Sequence, residues 1–312
     1  MNPSAEERRR AYHTLRKRLT GWAAVAVSAG ALSAVVVVIL LMFGHFLIEG
    51  LPNVTWTFLT EAPRNNNTEG GIFPAIYGTT LLVLTMTLIG VPVGTATAVY
   101  LSEYARRGSL FARTVRFAVN TLAGVPSIVF GLFGVGFFIQ FIGSGMDSAF
   151  GNAAPVWGHP SLMWAAATLS VLTLPVVIVS VEEALRAVPG ELREASLALG
   201  ATRWQTVWRV VLPNSLTGIL TGSILAVGRG AGEVAPIIFV GAVYSLPELP
   251  KALSDQFMHL GYHLFVLATQ SPDVEKALPQ QYATTVVLLL LTFMLNFTAV
   301  FIRLRIRRKA NW

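Results

Sequence analysis

Six long apolar runs dominate this sequence of 312 residues and limit what it can fold into. Each is close to or above the roughly 20 apolar residues that a helix needs to cross a lipid bilayer. Only 12% of the residues are charged and the mean hydropathy is +0.60, which is too apolar for an ordinary soluble domain. We therefore predict an all-α, polytopic membrane protein with six transmembrane helices. The predicted spans cover about residues 21–48, 73–101, 115–142, 161–181, 215–243 and 282–303.

Lys and Arg residues predict the orientation of these spans. Most lie in the N-terminal tail, the loop between the second and third runs, residues 182–213 and the C-terminal tail, which hold six, four, four and five of them. The loops on the other side hold Arg64, Lys251 and Lys276. Because Lys and Arg concentrate in cytoplasmic loops, we expect both termini in the cytoplasm. Topology also explains the net charge of +7, so we infer no nucleic-acid partner.

Residues that carry common chemistries are absent from the sequence or scattered along it. The chain has no cysteine, which excludes disulfides, thiolate metal sites and cysteine nucleophiles. It has no G-x-x-x-x-G-K-[ST] phosphate loop, so it does not bind ATP by that route. His259 and His263 have an i,i+4 spacing that metal ligands use, but no third ligand is evident and we interpret them as polar loop residues. We therefore predict neither an enzyme nor a metal site.

The polar segment at residues 182–213 is the most informative part of the sequence. It is too charged to span a membrane and too apolar for a solvated linker. Apolar residues recur at helical spacing on both sides of Gly200, which interrupts the pattern. This predicts two short helices that meet at a glycine turn, with small residues at a corner that another protein could approach closely. Pro213 would mark the start of the next span, a position that proline tolerates.

This segment resembles the cytoplasmic EAA loop of bacterial ABC-importer permeases, whose pattern is Glu-Ala-Ala, three residues, Gly, nine residues and Ile-x-Leu-Pro. The chain has Glu194-Ala195-Ser196, Gly200 and Val210-Val211-Leu212-Pro213 at that spacing, with Ser for the second Ala and Val for Ile. The resemblance implies the type I ABC importer permease architecture and a coupling helix seated in a cleft of a cytoplasmic ATPase. The simpler interpretation is an amphipathic loop on the membrane surface. The residues that the resemblance assigns to ATPase coupling are Glu194, Ala195, Ser196, Gly200, Ala201 and Pro213.

Further stretches resemble the phosphate-importer permeases of the PstA type. They are residues 70–79 (GGIFPAIYGT) with 100–104 (YLSEY), 123–134 (AGVPSIVFGLFG) and 229–236 (RGAGEVAP). The resemblance implies a subunit that carries inorganic phosphate into the cytoplasm across the bacterial inner membrane. It also implies the partners: a second, PstC-like permease, two copies of a PstB-like ATPase that bind ATP and Mg, a PstS-like extracytoplasmic phosphate-binding protein and the lipid bilayer. The chain itself would hold no cofactor.

Arg229 is the charged residue that most needs an explanation, because it lies about halfway along the fifth run. A central Arg costs at least about 2.5–3.5 kcal/mol on insertion scales, so it faces a bundle interior, a water-filled path or a partner charge. Glu233 lies one helical turn away. A cation on the translocation pathway or gate would suit an anion such as phosphate, and a structural Arg–Glu pair is the other interpretation. In the third run, Pro126 removes a helical hydrogen bond, so Ser127 either faces the pathway or follows a structural kink.

Two alternatives to phosphate import stay open. One is the same machine carrying another oxyanion, molybdate or sulfate. The other is a membrane scaffold that senses phosphate without moving it. The long outer loop is either a docking surface or interfacial helix, or a packed connector. The predicted organisation is a cytoplasmic basic tail at 1-20 and a single transmembrane permease domain at 21-312, with the coupling loop at 182-213 and the outer loop at 244-281.

Overall fold

The computed structural model describes residues 5–64, 69–106, 108–152, 154–271 and 273–310. The regular structure in these ranges is almost entirely helical. The helices are α1 (Ala5–Gly50), α2 (Trp56–Thr60), α3 (Phe73–Val99), α4 (Leu110–Leu122), α5 (Ser127–Phe133), α6 (Ser144–Phe150), α7 (Leu162–Ala187), α8 (Gly190–Ala198), α9 (Arg203–Thr206), α10 (Leu212–Gly232), α11 (Ile237–Val240), α12 (Leu260–Thr269) and α13 (Val274–Ala310).

Short irregular segments connect these helices. A 3-10 turn, Leu51–Asn53, follows α1. Segments of π-helix extend α3 (Tyr100–Tyr104), join α5 to α6 (Gly134–Gly143) and join α9 to α10 (Val207–Val211). Two pairs of two-residue strands lie between helices. Strand β1 (Pro63–Arg64) pairs antiparallel with β2 (Glu69–Gly70), and β3 (Ala242–Val243) pairs parallel with β4 (Phe257–Met258).

Six helical stretches in the described ranges are long and apolar enough to cross a membrane. The predicted number of spans is therefore confirmed. We number them span one to span six: Thr20–Asn53, Phe73–Tyr104, Ser127–Phe150, Leu162–Ala187, Arg203–Gly232 and Val274–Ile306.

Span four is the central element of the packing. In its most apolar window 67% of the residues are buried, more than in any other span. Span two approaches it closely because Gly94 lies against Val177, and a Cβ at Gly94 would come within 2.6 Å of that side chain. Span five approaches it in the same way, since a Cβ at Gly218 would overlap Ala184. Small residues at such contacts allow the close backbone approach that membrane helices need for tight packing.

Span one has none of its most apolar window buried in the chain. It contacts span six, where Gly50 lies against Val286. Helix α1 begins at Ala5, so the tail continues into the membrane span without a break. The boundary predicted at residue 20 therefore does not coincide with a change in backbone structure.

The third span begins at Ser127, not at residue 115 as predicted. The residues before it form α4, a separate helix with two exposed aromatic side chains, Phe111 and Phe117. Pro126 accounts for the separation, because it has no N–H to donate and disfavours helical dihedrals at the residue before it. The break predicted at Pro126 is confirmed, but it precedes the span instead of lying inside it.

Span five begins and ends earlier than the predicted 215–243. Helix α9, the π-helical segment and α10 form one continuous helix from Arg203 to Gly232. This helix runs through Pro213, so Pro213 does not begin the span. The wider turn of the π-helical segment before it relieves the clash between the proline ring and the preceding turn. The helix ends at Gly232 because Glu233 has extended dihedrals, with φ −80° and ψ 126°.

Glu182 belongs to span four and not to the loop predicted to begin there. Helix α7 continues to Ala187, and Glu182 is buried. Its Oε1 accepts hydrogen bonds from Arg116 at 2.7 Å and from Arg186 at 2.6 Å. The two guanidinium groups stabilise the carboxylate at the end of an apolar helix. The loop between spans four and five therefore begins at Val188.

The outer loop predicted at 244–281 ends earlier, because α13 begins at Val274, and its central residues Phe257, Met258 and Leu260 pack against the spans. The Leu260 N–H donates to Thr79 Oγ1 of span two at 2.9 Å. His259 and His263, interpreted above as polar loop residues, are buried; His259 lies in the loop just before α12, and His263 lies inside that helix. His259 caps α12, where its Nδ1 accepts from the Gly261 N–H at 3.1 Å. Burial lowers the pKa of His259 to about 3 and that of His263 to about 4, so both rings are neutral at physiological pH.

We expect Gly94→Leu to destabilise the chain, because the added side chain must displace Val177 from the contact between spans two and four. Overpacking of this kind costs about 1–3 kcal/mol. Gly136→Leu is the matched control, since a Cβ at Gly136 meets no heavy atom within 4 Å. Thermal unfolding in detergent measures both variants. Equal melting temperatures would show that the contact at Gly94 does not hold the two spans together.

Candidate functional site

Residues 189–206, called the corner segment below, form two short helices joined by a tight turn. Gly200 has φ +87°, a conformation that glycine adopts without strain. The Gly200 N–H donates to the Leu197 carbonyl at 3.0 Å and closes the end of α8. Thr202 then caps α9 in a reciprocal capping box with Gln205. The predicted pair of helices meeting at a glycine turn is confirmed.

Helix α8 projects from the rest of the chain. None of its nine residues is buried. Glu194, Ala195 and Gly200 are exposed, and Leu199, at the end of the helix, is 90% exposed. Leu192 and Leu197 are exposed as well. An exposed apolar surface on a rigid helix is typical of a protein-binding site.

The six predicted coupling residues do not form one surface. Ser196 is half-buried, and its hydroxyl lies 3.0 Å from the Thr206 hydroxyl of α9. Ala201 is also half-buried, in the turn. Pro213 lies inside span five, where its effect is on helix geometry. The accessible part of the predicted site is therefore Glu194, Ala195 and Gly200, together with the leucines of α8 that the pattern did not select.

Ion pairs that the sequence interpretation missed lie directly behind the corner segment. Arg193, on the face of α8 opposite to solvent, pairs with Glu103 at the end of span two. Arg116 of α4 pairs with Glu182 and donates to the Leu101 carbonyl at 2.9 Å. The one sequence feature that indicates these ion pairs is the presence of charged residues at the ends of apolar runs. It does not say which charges pair, because the partners are distant in sequence.

Arg229 lies in the last turn of α10, and Glu233 follows directly after the helix. This corrects the position predicted for Arg229, about halfway along a span. The two side chains are 36% and 20% exposed, and Arg229 Nε lies 3.5 Å from Glu233 Oε1. The neighbouring Gly230 packs on Met86 of span two, so the helix face beside Arg229 is closely covered. In the described part of the chain, Arg229 makes no other polar contact.

Pro126 and Ser127 lie at the start of α5. Helix α5 meets the turn after Glu233 at Gly131, where a Cβ would lie 2.8 Å from the Pro236 carbonyl oxygen. Ser127 is one helical turn before Gly131 and is half-buried. Among the described residues, no hydrogen bond joins Ser127 to Arg229 or Glu233. The α5 helix that carries Ser127 and the helix end that carries Arg229 therefore both adjoin the turn at Pro236, but the predicted pathway residues do not form a single cluster.

A family comparison decides the class of the chain. Residues 90–310 match the family of binding-protein-dependent transport system inner membrane components. The chain belongs to this family. The matched region includes the corner segment and the Arg229 turn.

Curated relatives agree with this assignment. The chain is 33% identical over 215 residues to the probable ABC transporter permease protein YqgI of Bacillus subtilis, which covers 69% of this chain and 68% of that protein. It is 39% identical over 192 residues to the phosphate transport system permease protein PstA 1 of Mycobacterium tuberculosis, covering 61% and 57%. It is 33% identical over 224 residues to the PstA protein of Xylella fastidiosa, covering 72% and 73%. The match to the tuberculosis protein therefore spans less than two thirds of its length.

Solved structures confirm the fold. A chain of a bacterial ABC transporter involved in alginate import superposes with a TM-score of 0.65 at 16% identity, covering 95% of this chain and 99% of that chain. A chain of the inward-facing MetNI methionine ABC transporter gives 0.51 at 22% identity, covering 76% and 94%. The predicted type I ABC importer permease architecture is confirmed. The family makes this chain a multi-pass inner-membrane transport component, a class that works with an ATPase and a substrate-binding protein.

We expect Gly200→Ala to loosen the corner segment, because φ +87° is strained for alanine by roughly 1–2 kcal/mol. Gly190→Ala is the matched control. Neither glycine has a heavy atom within 4 Å of an added Cβ, so the two positions differ mainly in their backbone dihedrals. Hydrogen exchange of the amides in the corner segment should accelerate about tenfold in Gly200→Ala. Unchanged exchange there would contradict a turn that depends on glycine.

Proposed function

We propose that this chain is the transmembrane subunit of an ATP-driven importer that carries inorganic phosphate into the bacterial cytoplasm. The single observation that carries the proposal is the rigid, exposed corner segment in a chain of this family. The corner segment lies on the side where the sequence concentrates Lys and Arg. Both termini and the corner segment are accordingly cytoplasmic.

The corner segment is the docking site of the ATPase. Its exposed leucines supply apolar area for a cleft in the partner, and its capping box and glycine turn keep the helix pair rigid. ATP and Mg bind to that partner, a PstB-like protein present in two copies, so this chain holds no cofactor. A PstC-like permease completes the pathway with this chain. A PstS-like binding protein delivers phosphate on the opposite side.

Phosphate is the favoured cargo because several curated relatives at 33–39% identity are named as phosphate transport permeases. Arg229 is compatible with this cargo. Its guanidinium carries up to five N–H donors, and its contact with Glu233 is long, at 3.5 Å. A half-exposed guanidinium with free donors suits an oxyanion. Molybdate and sulfate would suit it too, so selectivity must be measured. A phosphate-sensing scaffold without transport has no observation in its favour.

Transport follows from coupling the two ends of span five. ATP binding closes the ATPase pair and draws the corner segments of the two permeases together. The corner segment and the Arg229 turn are the two ends of one helix, so this movement reaches the pathway. Glu233 holds Arg229 in the resting state and releases it when the anion arrives. Hydrolysis then resets the pathway.

Leu199→Asp should prevent docking of the ATPase. Burying this side chain in a cleft contributes about 1.5–3 kcal/mol, so its loss weakens docking at least about tenfold, and a buried carboxylate weakens it further. Leu253→Asp serves as the control, because Leu253 is also exposed but lies in the segment on the opposite side. Co-purification of the ATPase with each variant is the measurement. Full recovery of the ATPase with Leu199→Asp would exclude the corner segment as the docking site.

Arg229→Gln should abolish phosphate uptake into proteoliposomes while the complex still assembles, because the amide keeps hydrogen-bonding capacity but has no charge for the anion. Arg113→Gln, at an exposed arginine of α4, is the control and should transport normally. A structural pair would instead be revealed by loss of assembly in Arg229→Gln.

The cargo is tested with the same wild-type vesicles. Excess arsenate, which shares the geometry of phosphate, should compete for uptake. Sulfate and molybdate should not. Stronger competition by sulfate or molybdate would assign the importer to that anion and overturn the assignment to phosphate.

A further inference from the structure

Arg193 lies at the contact between the corner segment and the membrane spans, and its guanidinium is nearly saturated. Its Nε donates to Glu103 Oε2 at 3.2 Å and its Nη2 to Glu103 Oε1 at 2.8 Å, a bidentate pair. The same guanidinium donates to the Leu185 carbonyl at 2.7 Å and the Val188 carbonyl at 2.6 Å. One side chain of α8 thus holds the end of span two and the end of span four.

This pair is shielded from water. Side-chain exposure is 22% for Arg193 and 12% for Glu103, so the pair is less screened than a surface ion pair. A bidentate pair also fixes orientation, because both partners are planar and their two hydrogen bonds are parallel. The contact therefore resists rotation as well as separation.

Nearby apolar packing joins span two to span five, where Leu101 and Val211 belong to one buried cluster, but no residue of α8 is buried in it. Between the end of span two and the beginning of span five lies an apolar cavity of about 530 Å³, lined among others by Pro92, Tyr104, Trp204 and Trp208. The cavity leaves part of the contact between these two spans unfilled. The Arg193–Glu103 pair bridges the two elements beside this cavity.

We propose that Arg193 and Glu103 are positioning residues that transmit the displacement of α8 to span two during the transport cycle. The other end of α8 is tied to span five by the Ser196–Thr206 contact and by the chain itself. A movement imposed on α8 then reaches spans two, four and five together. Without the pair, α8 would act on span two only indirectly, through the packing of span five, and the direct polar connection between α8 and span two would be lost. The proposal rests on the proposed coupling to an ATPase.

The consequence is a specific defect. The exposed surface of α8 does not include the Arg193–Glu103 pair, so the ATPase still docks when the pair is removed. ATP hydrolysis continues, but the pathway opens incompletely. Losing a charge-assisted bidentate pair should lower phosphate uptake per ATP hydrolysed by about tenfold or more.

The test uses the complete complex in proteoliposomes. Glu103→Gln/Arg193→Gln removes both charges, so neither is left buried and unpaired. Arg113→Gln is the matched control, an exposed arginine on the same side of the protein. Uptake and ATP hydrolysis are measured in parallel. We expect co-purification of the ATPase to be unchanged and the ratio of uptake to hydrolysis to fall in the double variant alone.

A second double variant tests whether the connection between residues 103 and 193 transmits movement or only stabilises the fold. The chain has no cysteine, so Glu103→Cys/Arg193→Cys introduces the sole reactive thiols when the partner subunits are also cysteine-free. With its two thiols not cross-linked, we expect this variant to show a lowered ratio of phosphate uptake to ATP hydrolysis. A short bis-methanethiosulfonate linker across the two thiols should restore uptake per ATP, and reduction of the linker should remove it again.

The outcomes distinguish this inference from the proposed function. A wild-type complex that hydrolyses ATP without moving phosphate would refute the proposed function itself. If both double variants transport phosphate at the wild-type ratio of uptake to ATP hydrolysis, the proposed role of the pair is overturned. Loss of ATPase assembly in the double variant, or a linker that restores nothing, would reduce the pair to a folding contact and overturn the proposal as well.

Discussion

The close packing of span four against spans two and five is the constraint on which the rest of the structure depends. Lipid is as apolar as the helices, so membrane helices gain their association from close backbone approach and from polar contacts between them. Here Gly94 and Gly218 provide the close approach. The Ser170 hydroxyl adds an interhelical hydrogen bond to the Met86 carbonyl at 3.0 Å. Spans two, four and five therefore form one block, to which span six and the outer segment are added.

Ion pairs at one end of this block connect the spans to α4 and to the corner segment. Glu182 of span four forms an ion pair with α4, and Glu103 of span two forms one with α8. Span five continues from the corner segment to Arg229 as a single helix of 30 residues, about 45 Å long at 1.5 Å per residue. A helix of that length passes an axial displacement along its hydrogen bonds. The corner segment, proposed above as the docking site, and the Arg229 turn are thus joined by one continuous helix.

Sequence reasoning predicted the parts that depend on local pattern. The length of the apolar runs was sufficient to predict six spans, and the spacing of apolar residues around Gly200 was sufficient to predict the two short helices of the corner segment. Boundaries failed where tertiary contacts decide them. Glu182 reads as the start of a polar loop, yet two arginines, one of them 66 residues away, allow the helix to continue through it. Pro213 reads as a helix start, yet a π-helical segment accommodates it inside span five. The histidines of the outer segment are polar by residue type, and burial alone shows that they belong to the core.

Arg193 and Arg229 show why residue type does not determine role. Each arginine pairs with a glutamate, Arg193 from α8 of the corner segment and Arg229 from the last turn of span five. Arg193 makes four hydrogen bonds, two to a carboxylate and two to carbonyls, so it has little capacity left for a ligand. Arg229 makes one long contact with Glu233, and more than a third of its side chain is exposed. Replacing Arg193 by lysine would lose the planar guanidinium that holds two elements at once. In the role proposed for Arg229, its positive charge matters more than its planar geometry. A saturated guanidinium holds the framework, and an unsaturated one in the same chain is available to an anion.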